Sequence, residues 1–277
     1  MKREISRLLP SLLALAIPVS AGLLYLHLAG APQHYVLVNA GALVAGLALA
    51  TFLTAPRSPL FGRLLTFAML VALFAPIATG PWVDGVARWL SLGPFALHTG
   101  SLLLPSILVL GLRDRDYAAP ILLTAIFAGL SQPDAAIGFS ILFAAVGYHD
   151  VSRDWRMGLV TILAFFGAIV MAMRGNPPPT DFVERVLVEA AAFSPFAAVG
   201  LFLALAAGFF LILRAIPAPK ATRYTLAGSF FGFTILSIMS NYPSVLIGYG
   251  AGPILGYGLA LGLARERPHA VSQSPCD

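Results

Sequence analysis

Ten long apolar runs follow one another along the chain, and they constrain the fold more than any other feature of the sequence. A helix needs about 20 apolar residues to cross the hydrocarbon core of a membrane. The runs lie near residues 8–29, 36–55, 62–80, 96–112, 117–131, 135–149, 157–173, 193–213, 224–240 and 245–264. The sequence therefore predicts an all-α, polytopic membrane protein with about ten transmembrane helices, forming a single transmembrane domain with a tail at 265–277.

The composition supports this class and excludes others. Hydrophobic residues make up 58% of the 277 residues and charged residues only 10%, against about a quarter charged in an ordinary soluble domain. A soluble enzyme, a nucleic-acid-binding protein and a disordered chain are thereby excluded. The single cysteine, Cys276, can form neither an internal disulfide nor a multi-cysteine metal site.

The positions of the cations predict the orientation in the membrane, because cytoplasmic loops are enriched in Lys and Arg. With the N-terminus inside, the outer loops hold only Arg88, Arg174 and Arg185. The other fourteen cations lie inside: Lys2, Arg3, Arg7, Arg57, Arg63, Arg113, Arg115, Arg153, Arg156, Arg214, Lys220, Arg223, Arg265 and Arg267. We therefore expect a multi-pass protein of the cytoplasmic (inner) membrane with both termini in the cytoplasm, where the basic loops meet anionic membrane lipids rather than nucleic acid.

Two segments allow alternative interpretations. Residues 2–21 have some features of a cleaved signal peptide, but the apolar run continues to Leu28, which favours an uncleaved first span. Residues 131–134 interrupt one long apolar stretch with Pro133 and Asp134, so we expect two helices joined by a tight turn there.

Five of the twelve acidic residues lie in the predicted outer segments. Acidic residues contribute little to topology, so those near the outer surface of the membrane are the first candidates for chemistry. They are Asp84, Asp134, Asp181, Glu184 and Glu189.

The outer segments resemble the motifs of one family, in the same order. Residues 85–97 (GVARWLSLGPFAL) are similar to G-x-x-R-W-I-x-L-G-P-F-x-L, and residues 132–134 to the start of Q-P-D-x-G-T. Residues 180–189 (TDFVERVLVE) are similar to H-T-D-F-I-F-x-V-x-x-E-E, and residues 247–250 (IGYG) to I-S-Y-G-G. These are motifs of the SEDS family of shape, elongation, division and sporulation proteins, the RodA-, FtsW- and SpoVE-like polymerases. The chain resembles a short, divergent member.

The resemblance implies polymerisation of peptidoglycan strands from lipid II, the lipid-linked disaccharide-pentapeptide, on the outer face of the cytoplasmic membrane. It implies an inverting glycosyltransferase, a class B penicillin-binding protein as partner, and a divalent cation, Mg²⁺ or Mn²⁺, as a possible cofactor. The family's essential aspartate corresponds to Asp181, which would act as the base or hold the metal.

Each candidate residue also has a structural interpretation. Asp181 is equally typical of a helix N-cap opening the segment 182–192. Arg88 and Trp89 fit either a contact with the lipid diphosphate and its sugar, or a cation and an aromatic ring at the membrane interface. Arg174 and Arg185 are alternative phosphate contacts.

The remaining candidates also have both a functional and a structural interpretation. Gln132 and Asp134 would line a cavity mouth, or Asp134 would cap the next helix with Pro133 at its first position. Glu184 and Glu189 are more typical of a solvated helix face, although Glu189 falls on a family position. Tyr249 lies among glycines that indicate close packing or a flexible turn.

The departures from the family keep two other functions open. Residues 98–101 (HTGS) replace the family's Q-P-S-E, so its glutamate is absent, and only residues 174–180 precede Asp181, where the family has a long loop. A non-catalytic scaffold or regulator of an envelope synthase is therefore an alternative. A transporter or flippase of a lipid-linked precursor is a further one, although internal repeats and charged residues within spans, typical of transporters, are lacking in the sequence.

Overall fold

A computed structural model describes residues 2–93, 95–175 and 177–265. These residues form twelve α-helices and two strands: α1 Lys2–Leu28, α2 Gln33–Phe52, α3 Pro59–Leu73, α4 Ala75–Thr79, β1 Trp89–Leu92, β2 Phe95–His98, α5 Thr99–Gly111, α6 Arg115–Ser131, α7 Ala135–Ser152, α8 Trp155–Arg174, α9 Val186–Phe193, α10 Pro195–Arg214, α11 Lys220–Met239 and α12 Ala251–Ala264. A helix covers most of each of the ten predicted spans. The predicted tail lies outside the described residues, apart from Arg265.

The helices confirm the predicted class, an all-α polytopic membrane protein. Six helical stretches in the described part of the chain are long and apolar enough to span a membrane: Ser6–Leu28, Gln33–Phe52, Pro59–Thr79, Ala135–Ser152, Trp155–Arg174 and Pro195–Arg214. The shorter or more polar helices α5, α6, α11 and α12 occupy the other four predicted positions. The count of ten spans remains a prediction.

The boundary of the fourth predicted span is wrong at its outer end. Strands β1 and β2 pair antiparallel, with Trp89 opposite His98, and helix α5 begins only at Thr99. The hairpin reverses at Gly93, whose φ of +60° lies in the left-handed region that glycine adopts without strain. Each strand contains one aromatic residue, a type that favours extended backbone, and a two-residue loop joins them. The outer loop is therefore ordered rather than irregular.

The last predicted span also begins later than expected. Helix α12 starts at Ala251 rather than at 245, because residues 240–250 form an irregular loop. Gly250, with φ +149°, ends that loop in a conformation that other residues rarely adopt. These loop residues belong to the outer face and not to the helix.

The turn at 131–134 is confirmed. Helix α6 ends at Ser131 and α7 begins at Ala135, with Asp134 between them as the N-cap. Asp134 Oδ1 accepts a hydrogen bond from the Ala136 N–H at 3.0 Å, which satisfies a donor that the first helical turn leaves unpaired. Pro133 precedes this cap, so its predicted place at the first helical position is wrong.

Small residues bring α7 and α11 into close contact. A Cβ added at Gly228 would collide with the Phe143 carbonyl, and one at Gly232 with the Phe139 carbonyl. The Ser140 and Ser229 hydroxyls lie 2.7 Å apart between the same helices. Close approach and interhelical hydrogen bonds are how helices associate inside a membrane, where water does not drive them together.

Candidate active site at the outer face

Arg88 lies inside the protein and joins three outer segments. Its side chain is buried, and it donates from Nε and Nη2 to the Pro133 carbonyl at 3.1 and 2.7 Å. Nη2 also contacts the Gly175 carbonyl at 2.5 Å and the Tyr242 hydroxyl at 2.8 Å, and the guanidinium lies 4.2 Å from the centre of the Tyr242 ring. These contacts give Arg88 a structural role. They are part of neither predicted role, that of an exposed interfacial cation or that of a phosphate ligand. The phosphate contact remains a prediction.

Asp134 is paired with His98, the last residue of the hairpin. His98 Nε2 lies 3.1 Å from Asp134 Oδ2, and both side chains are buried. Trp89 packs edge-to-face on the His98 ring, with the ring centroids 5.3 Å apart. Gln132, also buried, donates from Nε2 to the Leu73 carbonyl at 2.5 Å. Asp134 and Gln132 thus hold helix ends together, which favours their structural interpretation over a cavity mouth.

Asp181 is exposed on a tight turn that precedes α9. The Val183 and Glu184 N–H groups both donate to the Thr180 carbonyl, at 3.1 and 3.2 Å. Helix α9 begins only at Val186, and the residue before it, Arg185, has φ +54°. The predicted helix over 182–192, with Asp181 as its N-cap, is therefore wrong: the left-handed residue before Val186 separates the turn from the helix.

Two carboxylates hold this turn through its backbone. Glu184 Oε2 accepts from the Thr180 N–H at 2.5 Å, and Glu189 Oε2 accepts from the Phe182 N–H at 3.1 Å. Glu184 is buried and Glu189 partly buried, so the expected solvated helix face is wrong for Glu184. The pair fixes the backbone on both sides of Asp181.

Burial raises the pKa of both glutamates. The pKa of Glu184 is lowered by the hydrogen bond from the Thr180 N–H and by the nearby His98 and Arg88, but these effects do not cancel the effect of burial. For Glu189 the Phe182 N–H lowers the pKa, whereas the negative charge of Asp181 raises it further. The turn is thus a concentration of acidic groups, which attract a cation or a proton.

The loop 240–250 connects the turn to the rest of the outer face. The Ser244 N–H donates to the Val183 carbonyl at 2.8 Å, and the Tyr249 N–H donates to the Phe182 carbonyl at 2.6 Å. The Tyr249 ring stacks on Tyr35 of α2, with centroids 3.6 Å apart. Tyr249 and Glu189 are therefore brought to the Asp181 turn, whereas Arg88 lies in the buried network that Tyr242 of the same loop completes.

A divalent cation fits this turn only in part. In the described stretches of the chain, no group of three or more His, Cys, Asp and Glu side chains is placed to hold a metal ion. Glu184 and Glu189 are engaged with backbone N–H groups, which leaves Asp181 as an exposed ligand. Mg²⁺ is often bound by one or two carboxylates together with substrate phosphates and water, so the residues present do not form a cage of their own.

Three structural residues were missed by the sequence analysis. Asn39 is buried, donates to the Gly248 carbonyl at 2.9 Å and accepts from the Gly250 N–H at 3.0 Å. Tyr242 binds Arg88, and His98 binds Asp134. The sequence could have indicated the role of Asn39, because it is an amide within an apolar run and polar groups in membrane spans usually have partners.

The comparisons with known proteins agree on the fold. No family model and no curated protein matches the sequence. The structure is similar to the crystal structure of the rod-shape-determining protein RodA of Thermus thermophilus, at 20% identity and TM-score 0.60 over 90% of this chain and 92% of that one. It is also similar to an aspartate-to-alanine mutant of that RodA, at 21% identity, TM-score 0.62 and coverages of 90% and 93%.

A third similar structure comes from a peptidoglycan synthase complex that coordinates polymerisation and crosslinking, at 22% identity, TM-score 0.60 and coverages of 90% and 94%. The three similarities cover nearly the whole of each chain. At 20–22% identity and TM-scores of 0.60–0.62 they show a shared fold. The chain is a multi-pass membrane protein with the fold of RodA.

Proposed function

We propose that the chain is a SEDS-like glycosyltransferase that polymerises lipid II on the outer face of the cytoplasmic membrane, for cell-wall elongation or division. The observation that carries the proposal is the exposed carboxylate of Asp181, on a turn fixed by two other carboxylates in a chain with the RodA fold. A base on a rigid backbone is what the reaction requires.

In the proposed reaction, the 4-hydroxyl oxygen of an acceptor sugar attacks the anomeric carbon of a donor strand. The new carbon–oxygen bond forms as the bond to the lipid diphosphate breaks, with inversion. Asp181 accepts the hydroxyl proton, and the diphosphate leaves with the bonding electron pair. A cation beside the diphosphate stabilises the charge that develops there.

Arg185 is the cation that we propose for that second role. It lies four residues after Asp181, and its charge acts on the carboxylate of Glu189. Its side chain is only partly buried, whereas Arg88 is buried and engaged with backbone carbonyls. We therefore assign the diphosphate contact to Arg185, with exposed Arg174 as the alternative.

The remaining predicted residues support the turn or the substrate. Glu189 positions the backbone next to Asp181, and the ring of Tyr249 offers an aromatic surface beside the turn. Trp89 is only partly buried and leaves an edge for a sugar or prenyl chain. A class B penicillin-binding protein is the proposed partner, in keeping with the similarity to a peptidoglycan synthase complex.

A non-catalytic scaffold is the second candidate. The observation that favours it is the burial of Arg88 and Asp134, two residues of the motif-like segments, which bind the protein itself through the Pro133 carbonyl and His98. In that case the fold would serve to hold an envelope synthase, and Asp181 would have no chemical role.

The test is a polymerisation assay on purified protein in nanodiscs with labelled lipid II, with and without a class B penicillin-binding protein and Mn²⁺ or Mg²⁺. We expect a glycan ladder from the wild type. Asp181→Asn should lower the rate about a hundredfold or more, because the amide cannot accept the proton. Asp84→Asn is the matched control, since Asp84 is another exposed outer acid, and it should retain activity.

The outcomes separate the two candidates. If no glycan ladder forms under any condition, the polymerase proposal is rejected in favour of the scaffold proposal. A ladder that persists in Asp181→Asn would remove Asp181 from the chemistry. A ladder that requires Mn²⁺ or Mg²⁺ would add the metal to the site, with Asp181 as one ligand.

A further inference from the structure

A cavity of about 630 Å³ lies between the N-terminal parts of α3 and α6 and the C-terminal end of α5. Its size falls within the range of small-molecule sites, about 300 to 1,000 Å³. The walls are largely apolar and include Phe67, Leu70, Leu110 and Ile121. We call this cavity the inner groove; none of the candidate site residues lines it.

The mouth of the inner groove is basic. Arg57, Arg63, Arg113 and Arg115 line it, against one acidic residue, Asp114. Arg63 pairs with Asp114 at 2.6 Å, and Arg113 donates to the Leu263 carbonyl at 2.9 Å. Two further carboxylates act on these arginines, Asp116 on Arg63 and Asp154 on Arg115, but Asp154 is itself paired with Arg156. The arginines therefore still outnumber the nearby carboxylates, and the mouth is suited to an anion.

The groove opens towards lipid as well as towards water. Phe67 is 65% exposed and Tyr117 is 52% exposed, and the Arg63 guanidinium lies 4.9 Å from the centre of the Tyr117 ring. An amphipathic ring beside a cation is typical of the headgroup level of a membrane. The distribution of cations places this end on the cytoplasmic side, where the leaflet is rich in anionic lipids.

We propose that the inner groove binds one anionic phospholipid of the cytoplasmic leaflet. Arg57 and Arg115, both exposed at the mouth, bind the headgroup phosphate, and an acyl chain lies along Phe67 and Leu70. The charge at the mouth selects the headgroup, and the apolar wall selects a lipid over a free phosphate. This site is independent of the proposed polymerase activity.

A glycine in the wall makes the groove testable. A Cβ added at Gly62 would meet no atom within 4 Å, although Gly62 lines the cavity. A large side chain at position 62 should therefore occupy the groove without shifting the neighbouring residues. Gly200 of α10 also faces open space, does not line the groove, and gives a matched control.

The experiment is native mass spectrometry of the full chain in detergent, titrated with phosphatidylglycerol or with phosphatidylcholine of the same acyl chains. The wild type should retain one phosphatidylglycerol molecule in preference to phosphatidylcholine. Combining Arg57→Gln with Arg115→Gln should weaken retention about 25-fold, from about fivefold for each arginine near the membrane surface. Gly62→Phe should weaken it about tenfold or more, and Gly200→Phe should not.

Several results would overturn the proposal. They are equal retention of the two lipids, equal behaviour of Gly62→Phe and Gly200→Phe, and displacement of phosphatidylglycerol by an excess of inorganic phosphate. Melting temperatures show that each variant is folded. If Gly62→Phe does not fold, the arginine variant decides, and unchanged retention there rejects the site.

Discussion

Glu184 Oε2 accepts a hydrogen bond from the Thr180 backbone N–H at 2.5 Å, so a buried carboxylate closes the turn that carries Asp181. The carboxylate is held within one segment rather than by an ion pair. The charged form of Glu184 is therefore costly. Burial removes the water that would stabilise the negative charge, and no paired cation takes the place of that water.

This cost makes stability depend on pH. Burial raises the pKa of Glu184 above its ordinary value of 4.5, so the folded state binds the proton more tightly than the unfolded state. The contribution of Glu184 to stability should be full below about pH 4.5 and should be lost as the pH rises through the raised pKa. Glu184→Gln should reduce this slope in thermal unfolding of the protein in nanodiscs, because the amide oxygen still accepts from Thr180 and does not titrate.

The control for this measurement is Asp84→Asn, which removes an exposed carboxylate and should keep the wild-type slope. Some slope should persist in Glu184→Gln, since burial also raises the pKa of Glu189. A slope identical to that of the wild type would show that Glu184 is not the group responsible.

Arg88→Lys should destabilise the protein. A lysine cannot donate at once to the Pro133 and Gly175 carbonyls and the Tyr242 hydroxyl, and each buried group left unpaired costs about 1–3 kcal/mol. The melting temperature measures the loss, and Arg174→Lys, at an exposed helix end, should be close to neutral. An unchanged melting temperature combined with lost polymerisation would instead assign Arg88 to the substrate.

Gly228→Ala and Gly232→Ala should each weaken the contact between α7 and α11. The added methyl groups would collide with backbone carbonyls of α7, which cannot move as a flexible side chain does, and overpacking costs about 1–3 kcal/mol. Thermal unfolding in nanodiscs measures the effect. Gly200→Ala, which faces open space, should change little; equal effects at all three positions would indicate a general intolerance of alanine.

The orientation can be tested by cysteine labelling in a Cys276→Ser background. Arg57→Cys and Lys220→Cys should resist a membrane-impermeant maleimide added to intact cells, and Asp84→Cys should react, because the positive-inside rule places the first two in the cytoplasm. Permeabilised cells, in which all three should react, provide the control. Labelling of Arg57→Cys from outside would contradict the predicted orientation and indicate the opposite one.

The sequence predicts the helices well because length and hydrophobicity are local properties. It also predicts the turn at 131–134, where Pro133 and Asp134 each disfavour a continuous helix. The hairpin at Trp89–His98 was missed because four-residue strands leave almost no periodic signal beside an apolar span.

The candidate site was only partly predictable for a different reason. The outer acids were found by counting charges, but nothing in the sequence shows whether an arginine faces water or backbone carbonyls, as Arg88 does. The pairing of His98 with Asp134 joins residues 36 positions apart, and Glu184 was expected to face solvent. Such partners are set by tertiary contacts, which local patterns do not encode.

The two hydrogen bonds of Asn39 have a consequence for biosynthesis. They join α2 to the loop just before α12, so they cannot form until residues 248–250 have been translated, more than 200 residues after Asn39. The same late loop supplies Ser244 and Tyr249 to the Asp181 turn. A ribosome-bound chain that ends before residue 240 can therefore contain helices α1 to α11 and still lack an ordered outer face, which forms only after residues 240–250 have been made.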